Sequence, residues 1–160
     1  MKSVADKIVL VTGAAMGLGK LFARTAVQEG ATAVVLWDIN EIALKDTAAE
    51  LEAEGGTVHS YVVDVSSSAA VTRAAKLVRR EVGDVQILVN NAGIVRGNGY
   101  FWENKLRDVE QTMLINALAP MYVAREFLPA MVESDSECRI INLASSAGLN
   151  AVPRMAAYAG

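Results

Sequence analysis

One cysteine and one histidine are all that these 160 residues contain of either type. Cys138 alone can form no internal disulfide and no cysteine-based metal site, and His59 alone excludes a histidine cluster. No apolar run approaches the roughly 18 residues of a membrane span. The opening segment, Met1-Lys2-Ser3-Val4-Ala5-Asp6-Lys7, holds no signal-peptide core, and no membrane anchor is expected. Basic runs are missing too, and the net charge is −3, so nucleic acid is not expected as a partner. Linkers, repeats and low-complexity tracts do not occur. The remainder is 52% hydrophobic and 21% charged, enough for a real core. The length fits one domain over residues 1–160. A soluble, reducing, cytoplasmic setting is expected.

What is present begins with Val9-Leu10-Val11-Thr12-Gly13-Ala14-Ala15-Met16-Gly17-Leu18-Gly19. An apolar, β-branched run from Ile8 to Val11 turns through three glycines into a helical pattern over Leu18 to Gln28. Strand, glycine turn and helix together form the context in which such glycines bind phosphate. Glycine lets the backbone turn sharply and lets a pyrophosphate approach without meeting a Cβ. The helix then aims its unpaired N–H groups and the positive end of its dipole at that anion. The spacing Gly-x-x-x-Gly-x-Gly is neither the Gly-x-Gly-x-x-Gly fingerprint nor a P-loop, since no Gly-Lys-Ser/Thr follows. A small-residue turn that merely packs a helix on a strand would look the same.

The rest of the chain repeats the alternation. Strands are predicted at 7–12, 33–38, 58–63, 85–89 and 139–144, and helices at 17–29, 41–54 and about 68–82. Asn40 and one of Ser66, Ser67 or Ser68 serve as caps. A long helical region over 104–133 is predicted to be interrupted at Pro120 and Pro129. Residues 94–103 read as a loop whose Tyr100-Phe101-Trp102 either lines an apolar substrate mouth or packs in the core. The pattern predicts an α/β, Rossmann-type, doubly wound parallel sheet of order 3-2-1-4-5, ending after the fifth strand. Ligands of such sheets bind beyond the carboxyl ends of the strands, at the switch between strands 1 and 4. That rule gathers Gly13–Gly19, Asp38, Asp64, Asn90–Gly93 and Ser145 along one edge.

Thr12-Gly-x-x-x-Gly-x-Gly19, Asp64-Val65, Asn90-Asn91-Ala92-Gly93, Asn116 in Leu114-Ile115-Asn116-Ala117, and Ser145 thirteen residues before Tyr158 occur in one order. In that order they resemble the short-chain dehydrogenase/reductase family, and the resemblance spans the whole chain. Stretches 34–40, 58–64 and 127–131 are similar to the branch that holds 17β-hydroxysteroid dehydrogenase type 11 and epidermal retinol dehydrogenases. The resemblance implies a nicotinamide dinucleotide held by Gly13, Ala15, Met16, Gly17, Leu18 and Gly19. It puts Asp38 and Ile39 at the adenosine ribose, Asp64 and Val65 beside the adenine, and Asn91, Ala92 and Gly93 along the cofactor. It makes Asn116, Ser145 and Tyr158 catalytic, with Ser145 preferred to Ser146 because it begins Ser-x-x-Gly. No metal is implied.

The chemistry suits these residue types. A carboxylate at Asp38 can accept from a ribose 2′-hydroxyl and repels a 2′-phosphate. At about 4 Å and an effective dielectric near 20 that repulsion is roughly 4 kcal/mol as an upper figure. No Lys or Arg lies between Thr12 and Leu18 or at position 39 to offset it, so NAD is expected over NADP. A serine can hydrogen-bond a substrate oxygen while a tyrosine phenol exchanges a proton with it. A free phenol with a pKa near 10 is only about 0.1% ionised at pH 7, so it needs a nearby cation. In the family that cation is a lysine four residues after the tyrosine, which here falls at position 162. The expected function is NAD-dependent hydride transfer between the cofactor and a secondary alcohol or ketone, or another lipophilic alcohol or carbonyl. A longer chain carrying the lysine is expected, forming a homodimer or homotetramer. The alternative is a truncated, non-catalytic nucleotide-binding protein.

Overall fold

The computed structural model describes residues 3–150 and 152–159. Five parallel strands run β1 (Ile8–Thr12), β2 (Ala33–Asp38), β3 (Val58–Val62), β4 (Ile87–Asn90) and β5 (Arg139–Asn142). Their order across the sheet is β3-β2-β1-β4-β5, as the alternation of apolar strands and helices predicts. Leu10 sits between Val35 of β2 and Leu88 of β4, and Val11 between Leu36 and Val89. Each strand alternates its side chains between the two faces. Leu10, Val35, Trp37 and Leu88 therefore share one face. They pack on Val71, Ala75 and Val78 of α3 (Ser68–Glu81) and on Val123 and Phe127 of α5 (Ala119–Glu133). Trp37 and Phe127 meet with ring centroids 5.8 Å apart at 54°. Val9, Val11, Val34, Leu36, Ile87 and Val89 take the other face. It is covered by Ala23 and Ala26 of α1 (Gly17–Gln28) and by Leu44 and Leu51 of α2 (Glu41–Ala53). Burial on both faces explains why these strands read as continuous apolar runs.

The caps follow the sequence. Asn40 accepts from the Ala43 N–H at 3.2 Å, and Ser67 accepts from the Ala70 N–H at 3.3 Å. The fifth strand lies at the edge, and Ile141 is 47% exposed.

The region 104–133 departs from expectation. A short turn at Phe101–Glu103 leads into α4 (Leu106–Met113), a π-helical segment at Leu114–Leu118, and then α5. Pro129 lies inside α5 without ending it. The disturbance comes earlier, and Pro120 accounts for it. Proline has no N–H for the carbonyl four residues back, which is that of Asn116, so the α-register fails there and the chain widens by one residue. A further short turn at Ser146–Gly148 and the short helix α6 (Ala156–Ala159) complete the chain's described elements.

Candidate active site

The glycine turn is built by contacts on three sides. Gly13 takes a φ of 65°, and a Cβ there would meet the Ala92 Cα at 2.9 Å. Gly19 is buried under the turn; a Cβ on it would lie 2.1 Å from the Gly13 carbonyl oxygen and 2.6 Å from Asn91 Nδ2. The absence of a side chain at Gly19 is therefore what allows helix α1 to start directly behind the turn. The Thr12 hydroxyl accepts from the N–H groups of Asn91 and Ala92, each at 3.1 Å. Asn91 Nδ2 donates to the carbonyls of Thr12 at 2.9 Å and Gly13 at 3.1 Å. The loop after β4 is thus stitched to the loop after β1, across the switch point between them.

On the other side, Asp38 Oδ2 accepts from the Ala15 N–H and Oδ1 from the Asn40 N–H, both at 2.9 Å. The Thr47 hydroxyl of α2 donates to the Ala15 carbonyl at 2.9 Å. Ala15 is buried with both backbone groups engaged, so its part in any anion site is to shape the turn. Met16, Gly17 and Leu18 are exposed, and no side chain caps the start of α1. The first-turn amides of α1 are therefore open to an anion. Lys20, just inside α1, gives its ammonium to Glu50 of α2 at 2.7 Å, and Arg24 pairs with both Glu50 and Glu54 at 2.8 Å. The nearest cations on α1 are thus committed to α2, and Lys20 holds the Glu50 carboxyl below its usual pKa.

Beyond Asp38, Ile39 is 67% exposed. Asp64 is exposed and its Oδ1 accepts from the Ser66 N–H at 2.9 Å and the Ser66 hydroxyl at 2.6 Å. This is a turn that leads into α3. Val65 is buried in the core beside Val63 and Val71.

A cleft of about 700 Å³ opens beside the turn. Leu18, Asn91, Ala92, Gly93, Asn116, Ser145 and Tyr158 all border it. Asn90 at the end of β4 donates to Asn142 Oδ1 of β5 at 2.8 Å, tying the two strand ends that form its floor. Asn116 lies in the π-helical segment and is half-buried. Its Oδ1 accepts from the Ile94 N–H at 2.9 Å, and its Nδ2 donates to the Ile94 carbonyl at 2.8 Å. Both halves of the carboxamide are thus satisfied by one residue of the loop after β4, and Asn116 braces that loop. The Ser145 hydroxyl oxygen accepts from the Ala147 N–H at 3.2 Å. With a lone pair so occupied, its own proton is free to be donated into the cleft.

Two site contributors have no signal in the local sequence. Thr47 reaches Ala15 from a helix read only as rich in Ala, Leu and Glu, and Asn142 supports Asn90 from the edge strand. One reading is corrected. Tyr100, Phe101 and Trp102 are exposed at 50%, 59% and 79%; they neither fill the core nor border the cleft. Among the described residues no group of His, Cys, Asp and Glu could hold a metal ion, and no helix is long and apolar enough to cross a membrane.

This geometry agrees with what is found among known proteins. The family model for short chain dehydrogenase matches residues 7–160. The chain is 42% identical over 157 residues to estradiol 17-beta-dehydrogenase 11 of Pongo abelii, covering 98% of this chain and 51% of that protein. It spans about half the length of the curated relatives it matches. Among solved structures, a short chain dehydrogenase/reductase from Burkholderia phymatum in complex with NAD superposes with a TM-score of 0.94 at 34% identity, over 99% of this chain and 56% of that one. A metagenomic short-chain oxidoreductase in complex with NADP superposes at 0.92 and 34% identity, over 98% of this chain and 71% of that one.

Proposed function

This chain belongs to the short-chain dehydrogenase family, and from that membership we propose that the whole protein is an NAD-dependent oxidoreductase acting on a secondary alcohol or ketone. The observation that carries the reading is one cleft bordered at once by the glycine-turn helix, the asparagine loop, Ser145 and Tyr158. The residues fit a dinucleotide. Gly17 leaves open space where a Cβ would stand, the start of α1 is uncapped, and Asp38 stands at the end of β2. Gly13, Gly17, Leu18 and Gly19 would hold its diphosphate, and Asp38 its adenosine ribose. Asn91, Ala92 and Gly93 would border its other half. Bound there, the nicotinamide supplies the hydride acceptor for oxidation and the donor for reduction.

The chain's own residues handle the oxygen. Ser145 donates a hydrogen bond to the substrate oxygen and fixes its position. Tyr158 takes the hydroxyl proton as the carbon gives up hydride, and returns it in the reverse direction. Asn116 keeps the loop at Ile94 in place beside them. The resemblance puts the cation that supports the phenolate at position 162. The substrate class is a lipophilic alcohol or its carbonyl, supported by the likeness to an estradiol dehydrogenase and by apolar Ile94, Val95, Met113 and Leu143 around the cleft.

Assaying the whole protein with NAD against a panel of secondary alcohols, steroids and retinol included, tests this. Reduced nicotinamide should form with at least one lipophilic alcohol. Saturable NAD binding without any turnover across the panel would sink the enzyme reading. Cofactor choice has its own test. The Asp38 carboxylate already accepts two backbone N–H groups, yet each oxygen keeps a second lone pair for a ribose hydroxyl. Asp38→Ala is expected to lose most of the preference for NAD over NADP, about three decades at most. The variant should also lose about 1–3 kcal/mol of stability, because the buried Ala15 N–H is left unpaired. An unchanged ratio of the two dissociation constants in fluorescence titrations would contradict the role given to Asp38.

A further inference from the structure

Helix α6 carries Tyr158 and packs against α4 and the turn at Ser146–Gly148, yet no hydrogen bond among the described residues ties it to either. Among the described residues every hydrogen bond of 152–159 is internal: Met155 N–H to the Val152 carbonyl, and the N–H groups of Tyr158 and Ala159 to the Met155 carbonyl. Its buried side chain is only that of Ala157. One charged side chain of this segment reaches outward. The guanidinium carbon of Arg154 lies 5.3 Å from the centre of the Tyr100 ring, within the range of cation–π attraction.

Tyr100 is a fixed partner. Its ring stacks on Trp102 with centroids 4.9 Å apart and planes 5° from parallel. The loop that bears both is anchored at each end. Asn116 holds both backbone groups of Ile94, Gly97 and Gly99 pack on the Asn104 side chain, and Arg96 lies 3.7 Å from Asp108 of α4. The loop starts at the cleft, which Ile94 and Val95 border, and the turn over 152–155 leads directly to the cleft residue Tyr158. Arg154 and Tyr100 therefore join two cleft-bordering loops away from the cleft itself.

The backbone at Arg154 points the same way. Pro153 and Arg154 occupy the centre of the turn closed by Met155 N–H and the Val152 carbonyl at 3.3 Å, and Arg154 takes a φ of 66°. A proline followed by a left-handed residue is the arrangement of a type II turn, where glycine is favoured. An arginine there sits against the local preference, and such outliers motivate a search for function. Among the described residues no carboxylate pairs with Arg154; its partner is the ring.

We infer that Arg154 and Tyr100 form a brace that fixes α6, and with it the Tyr158 hydroxyl, at the cleft. Arg154 is thereby a positioning residue for proton transfer, an inference that rests on the role proposed for Tyr158. The test uses the whole protein and four variants: Arg154→Gln, Tyr100→Leu, their double, and Tyr100→Phe, which keeps a ring. Hydrogen exchange of amides 155–159 and steady-state kcat and KM, with NAD and the alcohol turned over in the panel, are both measured. Arg154→Gln and Tyr100→Leu should each speed exchange of those amides by about two- to fivefold, the range of a cation–π contact at an exposed site. Amides of β1 and β4 should not change, and the double variant should exchange no faster than either single one. The kcat should fall by about two- to fivefold while KM for NAD stays unchanged, and Tyr100→Phe should restore both readouts. Wild-type exchange of 155–159 in the single variants overturns the brace, whatever the turnover. Faster exchange with unchanged kcat overturns the positioning role. A wild-type protein that turns nothing over, with exchange still dependent on Arg154, refutes the role of Tyr158 instead and leaves the brace standing.

Discussion

Tyr158→Phe is expected to lower kcat of the whole protein by about 10²–10⁴-fold, the usual share of a general acid or base, while NAD affinity stays within about twofold. The substitution removes one oxygen and leaves the ring. Among the described residues that hydroxyl makes no hydrogen bond within the chain, and Tyr158 borders the cleft half-buried. Nothing in the fold therefore depends on it, and the melting temperature should stay within about 2 °C, the equivalent of less than about 1 kcal/mol. The effect belongs to the transition state and should appear in kcat and kcat/KM alike. Steady-state kinetics with thermal melting check it. A variant that keeps its turnover would remove the phenol from the reaction. One that loses turnover and also unfolds would show a structural role instead.

The second large effect is steric. Gly19→Ala puts a methyl group 2.1 Å from the Gly13 carbonyl and 2.6 Å from Asn91 Nδ2. The first is backbone and cannot swing aside, so the turn and the first turn of α1 must separate. Forcing a group into such a packed place costs about 3 kcal/mol. In a chain of this length that corresponds to roughly 6–12 °C in melting temperature. It also breaks the Asn91 tie across the switch point, so NAD binding should weaken more than about 100-fold. Gly17→Ala is the control. Gly17 has a φ of 57° but open space around its absent Cβ, so it should lose only the left-handed penalty of about 1–2 kcal/mol. Equal melting temperatures of the two variants in calorimetry would contradict this account of the turn.

Much of this was legible in the sequence, for physical reasons. Strands buried on both faces must be apolar throughout, so β1, β2 and β4 announce themselves, and α2 and α3 carry their caps at Asn40 and Ser67. The glycine turn and the asparagine loop are contiguous in sequence, which is why the motif finds them. What stayed hidden depends on residues distant in sequence. Thr47 meets Ala15 across 32 positions, and neither residue type signals the other. Of the two interruptions expected in 104–133, only the one at Pro120 is seen, because two prolines look alike in sequence. Pro120 disturbs the helix at Asn116, whereas Pro129 is absorbed inside α5. Tyr100 and Trp102 read as mouth or core residues, but they stack on one another, with Arg154 over the Tyr100 ring, outside both core and cleft. The resemblance named the residues at the site; only the structure shows that Asn116 ties both backbone groups of Ile94.

The most direct test is a crystal structure of the whole protein with NAD and a slowly oxidised alcohol. The account predicts the diphosphate on the amides of Gly17, Leu18 and Gly19, and a ribose hydroxyl on Asp38. The alcohol oxygen should lie about 3 Å from both the Ser145 and Tyr158 hydroxyls, within hydrogen-bond reach. A dinucleotide bound elsewhere, or an alcohol oxygen held away from those two hydroxyls, would contradict it.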